Sequence, residues 1–218
     1  MTQLPRILVI LAHPDPEHSV ANKAILSAYH DLSHVTVHDL YAHYPEFFID
    51  VIYEHELLAQ HDIIVFQHPL YLYSCPALLK EWMDCVLGKG FAYGNGSALK
   101  GKQWRSVITA GGIEEAFSET GYNQHTMDEI LIPFKITAAL CQMEWLTPSV
   151  QYWARKITIE KRQQFIDDYG EDWATHDLAL STLTKPEDIA PTVLMLASGL
   201  MDHATGSVID INAGSYIR

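Results

Sequence analysis

The sequence predicts an α/β protein: a parallel β-sheet covered by helices on both faces. Two patterns carry that prediction. Apolar runs of strand length alternate with segments whose apolar residues recur at helical spacing, and those runs are almost continuously apolar. A strand that is polar at every second residue can keep one face in water, whereas an uninterrupted one has to be buried on both sides.

Ile7–Ala12 reads as the first buried strand. After a proline-bearing loop, Ala21, Ala24, Ile25, Ala28 and Leu32 recur at helical spacing. Val35-Thr36-Val37 is a short second strand, Glu54–Gln60 a short helix and Ile63–Gln67 the third strand. Pro76 is expected to open the next helix, in a first turn where its missing N–H is not needed; Leu78, Leu79, Trp82, Met83, Val86 and Leu87 form its apolar side. Ser106–Ala110 is the fourth strand, Asp128–Cys141 a helix, Glu144–Leu146 the start of the fifth strand and Thr158–Asp168 a charged amphipathic helix. Five such strands fit the flavodoxin-like order 2-1-3-4-5, in which a ligand sits beyond the carboxyl ends of the strands, at the switch point between the first and third. That rule selects residues 13–22, 68–75 and 109–117.

Length and composition bound the rest. The 218 residues are enough for one domain with an appendage. At 48% hydrophobic and 19% charged, the chain is not a disordered tail. No apolar run approaches the ~18–20 residues of a membrane-spanning helix. The N-terminus enters its first strand without a cleavage site, so no signal peptide is expected. Three cysteines (Cys75, Cys85, Cys141), odd in number and without a C-x-x-C, suggest reduced thiols in the cytoplasm. A net charge of −13 argues against nucleic-acid binding, which needs a basic footprint.

Each selected loop carries a chemical feature. In Ala12–Asn22, Ser19 suits a helix cap, and the N–H groups of Val20, Ala21 and Asn22 stand free at the helix start, where a phosphate can bind. An ordinary helix cap would look the same. The segment holds no Lys or Arg, so any phosphate there meets mainly neutral donors. Leu70, Tyr71, Leu72 and Tyr73 leave the third strand as an apolar and aromatic shelf suited to a ring system, although aromatic clusters at strand ends are commonly core. Gly111-Gly112 follow the fourth strand and permit close backbone approach to a ligand.

On these residues the chain resembles the flavodoxin-like NAD(P)H:quinone oxidoreductase family, and within it the ancillary proteins of glutathione-gated potassium efflux antiporters. The resemblance spans about Ile7 to Trp173 and rests on AHPDPEHSVAN, VTVHDLYAHYPEFFID, QHPLYLYSCPALLKEWMD, GKGFAYGNG and CQMEWLTP, in matching order. It implies FMN as cofactor and NAD(P)H as co-substrate, with ping-pong hydride transfer to a quinone or electrophile. His13 and Ser19, Val20, Ala21 and Asn22 match the phosphate and ribityl loop. Leu70, Tyr71, Leu72 and Tyr73 match the segment along the isoalloxazine, and Thr109, Ala110, Gly111 and Gly112 the loop at the flavin's polar edge. The resemblance also implies a homodimer with sites at the subunit interface. It places the protein in the cytoplasm, reaching the inner membrane through the antiporter. A regulatory binding protein with little turnover is the alternative.

The chain departs from the family pattern where a Tyr–His relay often follows the glycine loop. Phe117 stands in the aromatic position without a hydroxyl; His125 could substitute, but it also reads as an ordinary solvent-exposed loop histidine. Ala110 and Ile113 also replace small polar or glycine residues.

Other motifs carry less. Gly96–Gln103 imitates a phosphate-binding loop but ends in Gln103 and precedes a strand. The twelve histidines include no zinc spacing. Cys75 beside the shelf is either redox-sensitive or an inert buried thiol. Residues 1–180 are expected to form the flavodoxin-like domain and 181–218 an extension, helical over Pro186–Ser198 and extended over Ser207–Ile211. Residues 185–218 resemble the C-terminus of short-chain dehydrogenases, but that family's glycine-rich loop is absent. Tyr152 and Lys156 form its Y-x-x-x-K only about 30 residues before that segment, too close for its catalytic pair.

Overall fold

The computed structural model describes residues 4–29 and 32–175. The expectations for Pro186–Ser198, Ser207–Ile211 and the boundary at 180 lie outside them. The sheet belongs to the unit Pro5–Ile166.

Strands β1 (Ile7–Leu11), β2 (Val35–Asp39), β3 (Ile63–Pro69) and β4 (Gln103–Thr109) are all parallel, in the order β2-β1-β3-β4. Two short strands, β5 (Glu144–Trp145) and β6 (Ser149–Gln151), share the fifth position and both pair with β4. The predicted order 2-1-3-4-5 is the observed one, with its last place split by Pro148. Proline cannot donate to a ladder, so the run breaks there and resumes.

The helices are α1 (Val20–Leu26), α2 (Leu40–His43), α3 (Val51–Ala59), α4 (Ala77–Val86), α5 (Met127–Ile130), α6 (Ile132–Leu140) and α7 (Ile159–Thr175). α1 is shorter than its apolar pattern: it tightens into a 3-10 turn at Ser27–Tyr29. α2 and the start of α3 were not expected. Asp39 accepts hydrogen bonds from the N–H groups of Tyr41 and Ala42, and Asp50 from those of Ile52 and Tyr53, so each caps its helix. Pro76 sits one place before the helix it was expected to open from within. The single helix expected over 128–141 is two, because Pro133 in the first turn of α6 starts a new helix.

The two faces of the sheet have separate cores. On one, Leu8, Ile10, Ile64, Phe66, Trp104 and Ile108 meet Leu78, Leu79, Trp82 and Val86 of α4 and Phe134 and Ala138 of α6. Phe66 stacks on Trp104 with ring centroids 4.0 Å apart and meets Trp82 edge-on at 5.8 Å. Strand alternation turns Ile7, Val9, Leu11 and Val65 to the other face, and α1 contacts β3 there.

A buried carboxylate ties the layers together. Glu54 of α3 is fully buried and accepts from His38 Nε2 (2.8 Å), Tyr44 Oη (2.5 Å) and Trp82 Nε1 (2.8 Å). These donors come from β2, the turn after α2, and α4. Burial pushes its pKa up, but the hydrogen bonds from His38 and Tyr44 outweigh that and the net shift is downward.

Candidate functional site

The loops selected by the switch-point rule meet at the carboxyl edge of the sheet. From β1, Ala12 N–H donates to Gln67 O (2.9 Å), carrying the chain towards β3 before it turns. The His13 ring accepts from Asp15 N–H at Nδ1 (3.1 Å). Burial lowers its pKa and nearby Arg155 presses the same way, while Asp15 and Asp39 oppose; the net direction is down, so His13 is a neutral hydrogen-bonding group at pH 7.

Ser19 caps α1, its hydroxyl accepting from Asn22 N–H (3.3 Å) and Asn22 Nδ2 (3.1 Å). Asn22 Nδ2 also donates to Thr109 Oγ1 (3.2 Å). Gln67 Nε2 reaches Asn22 O and Oδ1 (3.2 and 3.3 Å), and Tyr29 Oη donates to Gln67 Oε1 (3.3 Å). One buried polar network thus joins the α1 cap to the ends of β3 and β4. The N–H groups of Val20 and Ala21, one and two places inside the cap, make no hydrogen bond within the described residues.

After β3, Leu70 N–H donates to Thr109 O (2.9 Å), and Tyr71 and Ser74 exchange backbone hydrogen bonds of 2.9 and 3.0 Å. Between them Leu72 (φ 46°) and Tyr73 (φ 64°) are both left-handed, as a type I′ turn requires. Asn and Gly are the usual residues there, and a side chain with Cβ costs about 1 kcal/mol or more per position. Leu72 is 94% exposed, so packing within the described chain does not repay that strain. Tyr71 meets His13 edge-on at 6.2 Å, and Tyr73 Oη donates to Asn123 Oδ1 (3.0 Å) in the loop after β4.

At the end of β4, Thr109 and Ala110 are buried, and the loop that follows is fixed from the far side. Ala110 N–H donates to Gln151 O (2.9 Å), Ala154 N–H to Ala110 O (2.9 Å) and Trp153 N–H to Gly112 O (2.7 Å). A methyl group on Gly111 would meet no atom of the described residues within 4 Å, so that side of the backbone is open to a ligand. A methyl group on Gly112 would come within 3.0 Å of the Phe117 ring. The Phe117 ring lies 5.4 Å from that of Tyr152. His125 faces Glu129 Oε2 at 3.4 Å, at the exposed start of α5.

All thirteen residues expected to hold the cofactor lie on these loops or at the strand and helix ends that bound them, which the hydrogen bonds above interlock. Sequence reasoning missed Gln67, Asn123 and Gln151. Gln67 had a visible signal, a polar residue closing an apolar strand. Gln151 is buried, and neither atom of its amide has a partner among the described residues. Asn123 had no signal, because the Tyr73 contact spans fifty residues. The phosphate-loop imitation at 96–103 lies in turns and the start of β4. Cys75 is buried, which raises its thiol pKa. Among the described residues no cluster of metal-ligating side chains occurs.

A doubly wound parallel sheet with a polar cradle and an aromatic turn at its switch point defines a class, and the chain belongs to it: residues 5–176 match the flavodoxin-like fold family. Within that class the chain is 55% identical to the glutathione-regulated potassium-efflux system ancillary protein KefG of Serratia proteamaculans (strain 568), over 82% of this chain and 97% of that protein. General stress protein 14 of Treponema denticola, solved in complex with FMN, is 35% identical, with a TM-score of 0.71 over 78% of this chain and 96% of that one. An NADPH-quinone reductase from P. pentosaceus is 32% identical, with a TM-score of 0.71 over 76% of this chain and 96% of that one.

Proposed function

We propose that this protein binds FMN at the carboxyl edge of its sheet and passes reducing equivalents from NAD(P)H to a quinone or related electrophile. In this reading it is the ancillary subunit of a glutathione-regulated potassium efflux antiporter. The observation that carries the reading is the 55% identity to KefG across 97% of that protein.

The residues present suit the cofactor. The free N–H groups of Val20 and Ala21, with the Ser19 hydroxyl and neutral His13, offer uncharged donors to a phosphate. α1 has only seven residues, so these donors matter more than any helix dipole. Asn22 and Thr109 hold the ribityl side of the cradle. The open face of Gly111, with the Gly112 backbone, admits a flat ring at its polar edge, while Leu70, Tyr71, Leu72 and Tyr73 line the ring and exclude water. FMN, when bound, supplies two-electron exchange, and the protein's part is orientation and polar contact.

A specific observation favours the second reading, a regulatory binding protein with little turnover. Phe117 has no hydroxyl and His125 faces Glu129, so neither of the two residues expected in a relay after the glycine loop is set to pass a proton to the site. Regulation needs only binding to the antiporter. Among the described residues no helix is long and apolar enough to cross a membrane; in this reading the protein reaches the membrane through its partner. The exposed Phe48 and Ile52 are suited to cover by a second copy, in line with a homodimer.

The test is an FMN titration followed by NADPH reduction, read in the flavin absorption band, alongside potassium efflux in cells with the antiporter present and absent. Binding and quinone turnover support the first reading. Binding with efflux activation and negligible turnover selects the second. No FMN binding overturns the flavin assignment.

A further inference from the structure

The cations of this chain are unevenly placed. Between Ile7 and Asn22, between Ala24 and Leu79, and between Ser106 and Phe134 there is no Lys or Arg. Those stretches include the loops leaving β1, β2, β3 and β4 at the carboxyl edge. The same loops carry Asp15, Glu17, Glu46, Asp50, Glu114, Glu115 and Glu119. Lys23, just inside α1, is paired with Glu17 of the β1 loop (2.8 Å), so the cations near these loops without such a partner among the described residues are those of the turn after β6, where Trp153-Ala154-Arg155-Lys156 follow Tyr152.

That turn is held against the cradle by the two hydrogen bonds already described, Trp153 N–H to Gly112 O and Ala154 N–H to Ala110 O. Trp153 is left-handed (φ 49°), and its carbonyl accepts from the N–H groups of Lys156 and Ile157. A tryptophan in that conformation is strained, yet the residue remains 44% exposed rather than folding into the core. Arg155 is exposed, makes no hydrogen bond or ion pair with the described residues, and lies close enough to His13 for its charge to be felt there. An exposed tryptophan and an arginine unpaired among the described residues thus lie on the turn that is pinned to the cradle.

We propose that Trp153 and Arg155 form the docking subsite for the phosphate-bearing adenosine half of the nicotinamide co-substrate, the indole stacking on the base and the guanidinium taking a phosphate. This rests on the flavin-reductase reading of the same site. A guanidinium is well matched to phosphate oxygens, and a ring–ring contact adds a sequence-tolerant anchor. A dinucleotide approaching a chain of net charge −13 needs such a positive point of entry. The flavin's own phosphate, by contrast, is served by the neutral donors of the α1 cap.

The experiment titrates the full-length protein with NADP+, the redox-inert form, by calorimetry at low and moderate salt. A separate FMN titration runs in parallel, for the wild type, Arg155→Gln and Trp153→Leu. Arg155→Gln, at an exposed and unpaired side chain, leaves folding intact. It is expected to weaken NADP+ binding about tenfold and flatten its salt dependence, with FMN affinity unchanged. Trp153→Leu is expected to weaken NADP+ a few-fold. Unchanged NADP+ affinity in Arg155→Gln, or no NADP+ binding by the wild type, overturns the subsite. A loss of FMN affinity instead assigns Arg155 to the flavin's phosphate and overturns it too. Failure of the wild type to bind FMN, with NADP+ still bound through Arg155, overturns the flavin reading and leaves the subsite standing.

Discussion

Removing the carboxylate of Glu54 gives the sharpest test of how the sheet and the helices beside the site are held together. In Glu54→Ala the ring nitrogen of His38, the hydroxyl of Tyr44 and the indole N–H of Trp82 all lose their acceptor at a site without solvent exposure. A buried donor left unpaired costs about 1–3 kcal/mol, more when the lost acceptor was charged. Water entering the vacated space recovers part of that cost, leaving an expected loss of about 4 kcal/mol. For a chain of this size that corresponds to a fall in Tm of roughly 10 °C. Guanidinium denaturation followed by tryptophan fluorescence reads it directly, since Trp82 is one of the reporters. Glu54→Gln should recover at least half, because an amide oxygen can serve either the His38–Tyr44 pair or Trp82. The double-mutant cycle of Glu54→Ala with His38→Ala should show coupling above about 1 kcal/mol. A loss below about 1 kcal/mol for Glu54→Ala, or strict additivity with His38→Ala, would refute the view that this carboxylate holds the layers.

Acid titration should expose the same group. The folded-state pKa of Glu54 lies below its ordinary value of 4.5, so its stabilisation is present above that value and disappears as pH falls through the lower, folded-state one. Denaturation midpoints should therefore drop below pH 4.5 in the wild type and change less there in Glu54→Gln. Gly111→Ala adds a methyl group that meets no atom of the described residues, so thermal stability should hold within about 0.5 kcal/mol while FMN affinity falls at least tenfold. Equal FMN affinity would show that no ligand approaches Gly111. Leu72→Gly relieves a left-handed leucine that is almost fully exposed and should stabilise the protein by about 1 kcal/mol in a thermal melt. The same change should weaken FMN binding, since it removes a side chain from the ring-lining turn.

Much of this architecture was legible in the residues. β1 and β3 announced themselves as apolar runs too long to leave a face in water, and the order of strands followed from their alternation with helices. The loops that build the cradle were found by topology, because a parallel sheet fixes which chain segments leave the same edge. What escaped was set by contacts distant in sequence or by backbone choices that side-chain pattern does not encode. Nothing in Leu72-Tyr73 announces a left-handed pair, and nothing in Trp153 does either. The division at Pro133 was readable in principle, since a proline inside a helical pattern marks a boundary. The split of the fifth strand at Pro148 was readable for the same reason. The starts of α2 and α3 were hidden among aromatics, where the capping roles of Asp39 and Asp50 are visible only once the chain has turned. Phe117 was read correctly as lacking a hydroxyl, while the engagement of His125 by Glu129 needed the helix start to be placed.

The division of the last strand position also bears on how this protein behaves when crowded. A sheet edge is a template for adding another strand, and its strength as a template grows with the length of unbroken backbone it presents. Here β5 offers two residues and β6 three, with the proline-containing break between them. An incoming strand could not hold one register across that gap. The interruption that obscured the fifth strand in the sequence thus makes this side of the sheet a poor seed for edge-to-edge association between copies.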